Sequence, residues 1–184
     1  MAQSLNEGFT RLATELSGNS HDKPLRACLY ERMLILLEEL SIGSVRDLED
    51  WVVDRVTFIT SLNRPGHIYK GKKEVIKYFD DFPDDQRSET HFEGLPILVI
   101  VDRGRITCHM ERMYCANVET NKFEKETFLL VFDLNANNYI ERIEYRLLQS
   151  KKVSIVGLNE TEVLRDFEAE AKKRAAAVDH SLSF

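Results

Sequence analysis

Several signals that would announce a function are missing from this chain. It holds three cysteines, Cys28, Cys108 and Cys115, an odd number without metal-site spacing. That excludes a disulfide framework and a cysteine-based zinc site, and it reads as reduced, buried thiols in an intracellular protein. Eight glycines and four prolines build no internal repeat, low-complexity segment or domain-scale linker. No apolar run reaches the length of a membrane span, and MAQSLNEGFTRLATELSG carries an early acid and no apolar core. Neither a membrane partner nor a signal peptide is therefore expected, and the expected location is cytoplasmic. The net charge is −6 with no basic stripe, which argues against nucleic acid as a partner. No Ser-His-Asp elbow, phosphate loop or metal-ligand spacing is present, so neither a metal nor any other cofactor is expected.

What is present is an ordinary globular composition, 43% hydrophobic and 30% charged over 184 residues, enough for one domain with a real core. The stretch from Phe92 to Leu148 organises it. ILVIV, ITCHMERMYCANV, FEKETFLLVFDL and YIERIEYRLLQ read as four strands. Asp102-Arg103-Gly104-Arg105 and Glu119-Thr120-Asn121-Lys122 supply glycine and asparagine for tight turns, and Asn135 to Asn138 make a third.

Taking Arg103-Gly104 and Thr120-Asn121 as two-residue loops places His109 opposite Leu98 and Phe132. Glu111 then faces Leu130, Met113 faces Phe128, and Cys115 faces Glu126. A four-residue loop at Asn135 to Asn138 sets Ile143, Tyr145 and Leu147 opposite Leu130, Phe128 and Glu126. All of these share one mostly apolar face, because side chains alternate along a strand. Thr107, Arg112, Lys125, Thr127, Asp133, Arg142, Glu144 and Arg146 collect on the other, and Cys108 falls there too. His109, Glu111 and Glu126 are then ionisable groups on an apolar face. They sit at a rim or satisfy one another, or they form an acid/base pair in a pocket. One slipped residue would exchange the faces of a strand.

Before the sheet, Asp22 and Pro24 open a helix whose Leu25, Cys28, Leu29, Met33, Leu36, Leu37 and Leu40 form an apolar stripe, and Gly43 stops it. Ser44 with Asp47 starts a short helix with Leu48, Trp51 and Val52 as its packing face. The run RVTFIT is a strand, Asn63 to Gly66 a turn, and KKEVIKYFDDF a helix ended by Pro83. Phe9, Leu12 and Leu16 could make a short helix in an N-terminal arm, and a terminal helix is expected over residues 160–177, capped by Asn159.

DRVTFITSL, HIYKGKKEVIKYF, KETFLLVFDL and IERIEYR, in that order after a long helix, resemble the NTF2-like superfamily, and within it the SnoaL-like polyketide cyclase group, over residues 25–148. The resemblance implies an α+β, cone-shaped barrel: a curved antiparallel sheet wrapped around a long N-terminal helix, enclosing a deep apolar pocket. An arm over residues 1–20, a domain over 21–157 and an extra C-terminal helix and tail over 158–184 complete the expected layout. The resemblance also implies a homodimer and cofactor-free acid/base chemistry, as an isomerase, cyclase or dehydratase (a lyase) of secondary metabolism. The partner would be a small, largely apolar, oxygenated molecule such as a polyketide or terpenoid. Some members of the superfamily have no activity, so a ligand-binding or protein-interaction module is the alternative. The candidate catalytic residues are His109, Glu111, Glu126 and Tyr145, with Tyr145 donating a hydrogen bond to a developing enolate. Met113, Phe128, Leu130, Phe132, Trp51, Tyr69 and His91 are the candidate lining, with His67 near the mouth.

Overall fold

The computed structural model describes residues 23–41, 43–61, 66–85, 93–102, 104–117, 122–154, 162, 165–170, 172–173 and 176. The N-terminal arm, Asp22, His91 and Asn159 lie outside the described residues.

Helix α1 (Lys23–Ser41) buries Leu29, Met33, Leu36 and Leu37. Leu25 and Cys28 of the expected stripe are exposed, so the buried band is narrower than its sequence suggests, and the expectation of a buried Cys28 thiol is corrected. Gly43 ends the helix at φ 80°, donating its N–H to Leu40 O at 3.2 Å. Helix α2 (Arg46–Trp51) is not capped by Ser44 as expected. Glu39 of α1 serves instead: its Oε2 accepts from Ser44 Oγ at 3.3 Å and from the N–H of Asp47 at 3.2 Å. A carboxylate at a helix start satisfies an orphan donor and the helix dipole together.

Strand β1 (Val52–Thr60) follows directly, with β2 (His67–Lys70) antiparallel to it. Gly71, at φ +87°, turns the chain from β2 into α3 (Lys72–Asp85); its N–H donates to Val56 O at 2.8 Å. Helix α3 runs two residues beyond Pro83, which stands in its last turn rather than after it. Then come β3 (Glu93–Asp102), β4 (Arg105–Asn117), β5 (Lys122–Leu134) and β6 (Ile140–Ser154).

The six strands form one curved, unclosed sheet in the order β2-β1-β6-β5-β4-β3. It is antiparallel except between β1 and β6, which run parallel. The long crossover from β1 to β6 makes that pair possible, since parallel neighbours cannot be joined by a hairpin. The core lies between the sheet's inner face and helices α1, α2 and α3; it includes Met33, Leu36, Trp51, Phe58, Val75, Ile106, Phe132 and Ile143. Trp51 is fully buried: Arg32 stacks 4.4 Å from its ring, and its Nε1–H donates to Asn138 O at 2.7 Å. That bond ties the α2–β1 junction to the β5–β6 turn. Asn135 Oδ1 organises that turn by accepting from the N–H groups of Asn137 and Tyr139.

The hairpin registers decide the faces. The β3–β4 turn is as expected: Asp102 pairs with Arg105 and Leu98 with His109. Between β5 and β6, Tyr145 pairs with Leu130 and Ile143 with Phe132. This is two residues from the expected pairing, and an even shift leaves each side chain on its face. Between β4 and β5 the shift is odd. His109 pairs with Leu129 rather than Phe132, Glu111 with Thr127 rather than Leu130, and Met113 with Lys125 rather than Phe128. The two strands end at Asn117 and Lys122, with an irregularity at Cys115–Asn117, so the connection is not the two-residue Thr120-Asn121 loop.

Candidate functional site

The odd shift exchanges the members of the two faces on β4. Arg112 pairs with Glu126, Met110 with Phe128, Cys108 with Leu130 and Ile106 with Phe132, and all of these face the core. The expectation that placed Arg112 and Cys108 on the outer face is corrected. His109, Glu111 and Met113 share the parity of Thr107 and lie on the outer face, away from Glu126 and Tyr145. The four candidate acid/base residues are therefore divided between two faces.

On the outer face Glu111 pairs with Lys125 Nζ at 3.1 Å. That Nζ also lies 5.3 Å from the ring of Phe167, a buried residue of the helical stretch 165–170. Phe123 and Met113, on the same face of the sheet, and Phe167 are all buried outside the main core. This explains how Glu111 is buried without facing the interior. His109 Nε2 is buried on the same side and meets no hydrogen-bond partner among the described residues. Further along this face Asp133 and Glu144 link three arginines. Arg105 reaches Asp133 at 2.6 Å, Arg142 bridges Asp133 and Glu144 at 3.3 and 2.8 Å, and Arg146 reaches Glu144 at 2.6 Å. The hydrogen bond from Arg146 holds the Glu144 carboxyl below its ordinary value.

The inner face holds a different constellation. The Arg112 side chain is 1% exposed and that of Glu126 7%; Arg112 Nε and Nη2 both contact Glu126 Oε2. The Arg112 guanidinium lies 5.4 Å from the Phe128 ring and 5.9 Å from that of Tyr145. Phe128 and Tyr145 stack at 4.9 Å. Tyr145 is buried, and its hydroxyl meets no hydrogen-bond partner among the described residues. Burial drives its pKa well above the ordinary tyrosine value, Arg112 opposes this, and Glu126 and Tyr78 add to it. Tyr78 brings in an aromatic group: Phe58 lies 4.9 Å from Tyr78, 5.0 Å from Phe79 and 5.8 Å from Tyr69, and His67 meets Tyr69 edge-on at 4.5 Å. Phe58 is buried, whereas Tyr69, Tyr78 and Phe79 are half-buried and His67 is exposed, so the rings grade from the core to the surface.

Of the expected lining, Phe128, Leu130, Phe132 and Tyr69 belong to this interior, as does Tyr145 of the expected catalytic set; Met113 does not, and Trp51 is held in the core by its bond to Asn138. Arg112 was missed because it looks like an outward residue in a polar stretch. The signal was in β4 itself, where Ile106, Cys108 and Met110 make the even positions the apolar ones. Cys108 is fully buried, and burial pushes its thiol up to about 12. Among the described residues no group of three or more His, Cys, Asp or Glu side chains is placed to hold a metal ion, and no helix is long and apolar enough to cross a membrane.

This architecture is the NTF2-like cone. No family model and no curated protein matches the chain. Solved structures do. Bal32a, from a soil-derived mobile gene cassette, is 15% identical with a TM-score of 0.55, covering 65% of this chain and 88% of its own. A protein of Jannaschia sp. CCS1 named as a SnoaL-like polyketide cyclase is 10% identical with a TM-score of 0.54, covering 68% and 88%. An NTF2-like protein of Anabaena variabilis is 11% identical with a TM-score of 0.52, covering 66% and 87%. At such identities the likeness establishes the fold, and function has to be argued from the site.

Proposed function

We propose that this protein is a cofactor-free acid/base enzyme acting on a small, largely apolar, oxygenated molecule held inside the cone, by isomerisation, cyclisation or dehydration. The observation that carries this reading is the Tyr145 hydroxyl, buried beside the Arg112–Glu126 pair without a hydrogen-bond partner among the described residues. A buried donor left unsatisfied by the protein is costly, and a ligand carbonyl would satisfy it. In this reading Tyr145 donates to the carbonyl oxygen and stabilises the enolate as charge develops there. Glu126 accepts the proton, Arg112 orients Glu126, and Phe58, Tyr69, Tyr78 and Phe128 hold the apolar body. Assembly as a homodimer in the cytoplasm belongs to the same proposal, and sedimentation of the full chain tests the dimer.

The test needs no natural substrate. Exchange of the α-hydrogens of 2-tetralone in D2O, followed by NMR, reads proton transfer directly. The wild-type chain should accelerate exchange over buffer, and Tyr145→Phe or Glu126→Gln should remove about a hundredfold or more of that acceleration. Exchange no faster than in buffer would reject the enzyme. A second reading is supported by one feature: Glu126, the buried acid on the inner face, is already engaged by Arg112, and His109 and Glu111 are elsewhere. That favours a non-catalytic ligand-binding module, which would bind 2-tetralone without exchanging it.

A further inference from the structure

Strand β6 outruns the strand beside it. It pairs with β5 along its whole length, from Ile140 to Ser154. On its other side β1 reaches only to Tyr145, which stands opposite Thr60. Ser61 ends that contact: its Oγ donates to Tyr145 O at 3.4 Å and accepts from the N–H of Leu147 at 3.2 Å. Beyond it, among the described residues, no strand lies against the stretch from Leu148 to Ser154 on that side. A strand turns the N–H and C=O of every second residue to each side, so this edge carries a row of backbone donors and acceptors that β5 does not use. Such an edge is a template for a further strand.

The side chains along the edge describe the strand that fits it. Leu147 and Leu148 are 38% and 54% exposed, two adjacent apolar groups left in water. Phe128 pairs with Leu147 and Thr127 with Gln149, so Leu148 is the extra residue of a bulge. Past the bulge, Lys151 stands opposite Lys125 on the outer face, and Lys152 opposite Glu124 on the other face. Lys125 is drawn to Glu111, and Lys152 lies 3.9 Å from Glu124, whereas Lys151 meets no acid among the described residues. Like charges directly opposite repel. A second copy paired antiparallel over residues 148–154 would be centred on Lys151 and would bring the lysines of both copies together. Acids at those positions would attract.

We propose that the open edge of β6 is a docking site for an extended acidic segment of another protein, which adds antiparallel to β6 where β1 stops. Adjacent acids of that segment meet Lys151 and Lys152 from the two faces, and apolar residues two positions further on cover Leu147 and Leu148. Main-chain hydrogen bonds hold the strand, and the charges select it.

The probe is a capped hexapeptide of two glutamates, two threonines and two valines in that order, titrated into the isotope-labelled full chain and followed by NMR. Laid antiparallel, its glutamates reach Lys152 and Lys151 and its valines reach Leu148 and Leu147. Amide shifts should centre on residues 147–154, with a Kd of about 1 mM or below. The same peptide with lysines for the glutamates should bind at least about tenfold more weakly. Lys151→Glu/Lys152→Glu, at two exposed positions, should reverse this preference and favour the lysine peptide. No shifts at about 1 mM acidic peptide, shifts centred elsewhere, equal binding of the two peptides, or an unchanged preference in the variant overturns the proposal. Shifts at residues 147–154 that grow with protein concentration in the absence of peptide would assign the edge to a second copy and overturn the acidic partner.

Discussion

Arg112 and Glu126 stand directly opposite each other on β4 and β5 and form an ion pair with both side chains almost wholly out of water. Such a pair is expensive to break and cheap to replace. Arg112→Met or Glu126→Leu alone breaks the buried pair and should cost about 3–5 kcal/mol, whereas Arg112→Met/Glu126→Leu together should recover most of it. Urea unfolding of the three variants checks this. Singles that cost little would mean that water reaches the pair.

Trp51 is the single tryptophan, fully buried and bonded to Asn138 O. Its emission should be blue-shifted in the folded protein and move to the red on unfolding. Trp51→Phe leaves the Asn138 carbonyl without that donor and should cost about 1–3 kcal/mol, read by circular dichroism against urea.

The thiols should behave unequally. Cys28 is exposed and should react first with a thiol reagent at neutral pH, while Cys108, in a Cys28→Ser/Cys115→Ser background, should react only as fast as the protein opens. The raised pKa of Cys108 has a consequence at high pH. The folded chain holds this proton from the ordinary value of 9.0 up to about 12, a range in which the unfolded chain has released it. That stability is intact below about pH 9 and falls as pH rises towards 12. Tyr145, raised by burial, adds to the same alkaline loss. Cys108→Ala should flatten the slope of unfolding free energy against pH in this range.

Phe167 anchors the C-terminal stretch to the outer face beside Lys125. Phe167→Ala should cost about 3 kcal/mol and raise the rate at which a protease cuts that stretch. The proton exchange proposed for the interior should be unchanged, because the residue lies on the other side of the sheet. A loss of exchange equal to that of Tyr145→Phe would link the two faces.

Much of this arrangement was legible in the order of residues, because it rests on local rules. Helical spacing marked the buried side of α1, Gly43 marked its end and Gly104 a hairpin turn, and alternation placed Phe128, Leu130, Phe132, Ile143 and Tyr145 on one face. Those features depend on a few neighbouring residues, whose backbone geometry and side-chain period suffice to specify them.

The membership of the site was not legible, because it depends on how two distant strands align. Strand β4 carries apolar and charged residues at both parities, Met113 with Glu111 on one and Met110 with Arg112 on the other, and only its first half, with Ile106, Cys108 and Met110, favours one of them. Its facing therefore followed from the assumed length of one turn, and an odd error there moved His109 and Glu111 out and Arg112 in. The residues from Arg105 to Glu126 contain every part of the buried pair. Pairing between strands, with the covering of the outer face by Phe167, settled which charges meet, since register is a property of packed surfaces rather than of any short run of sequence.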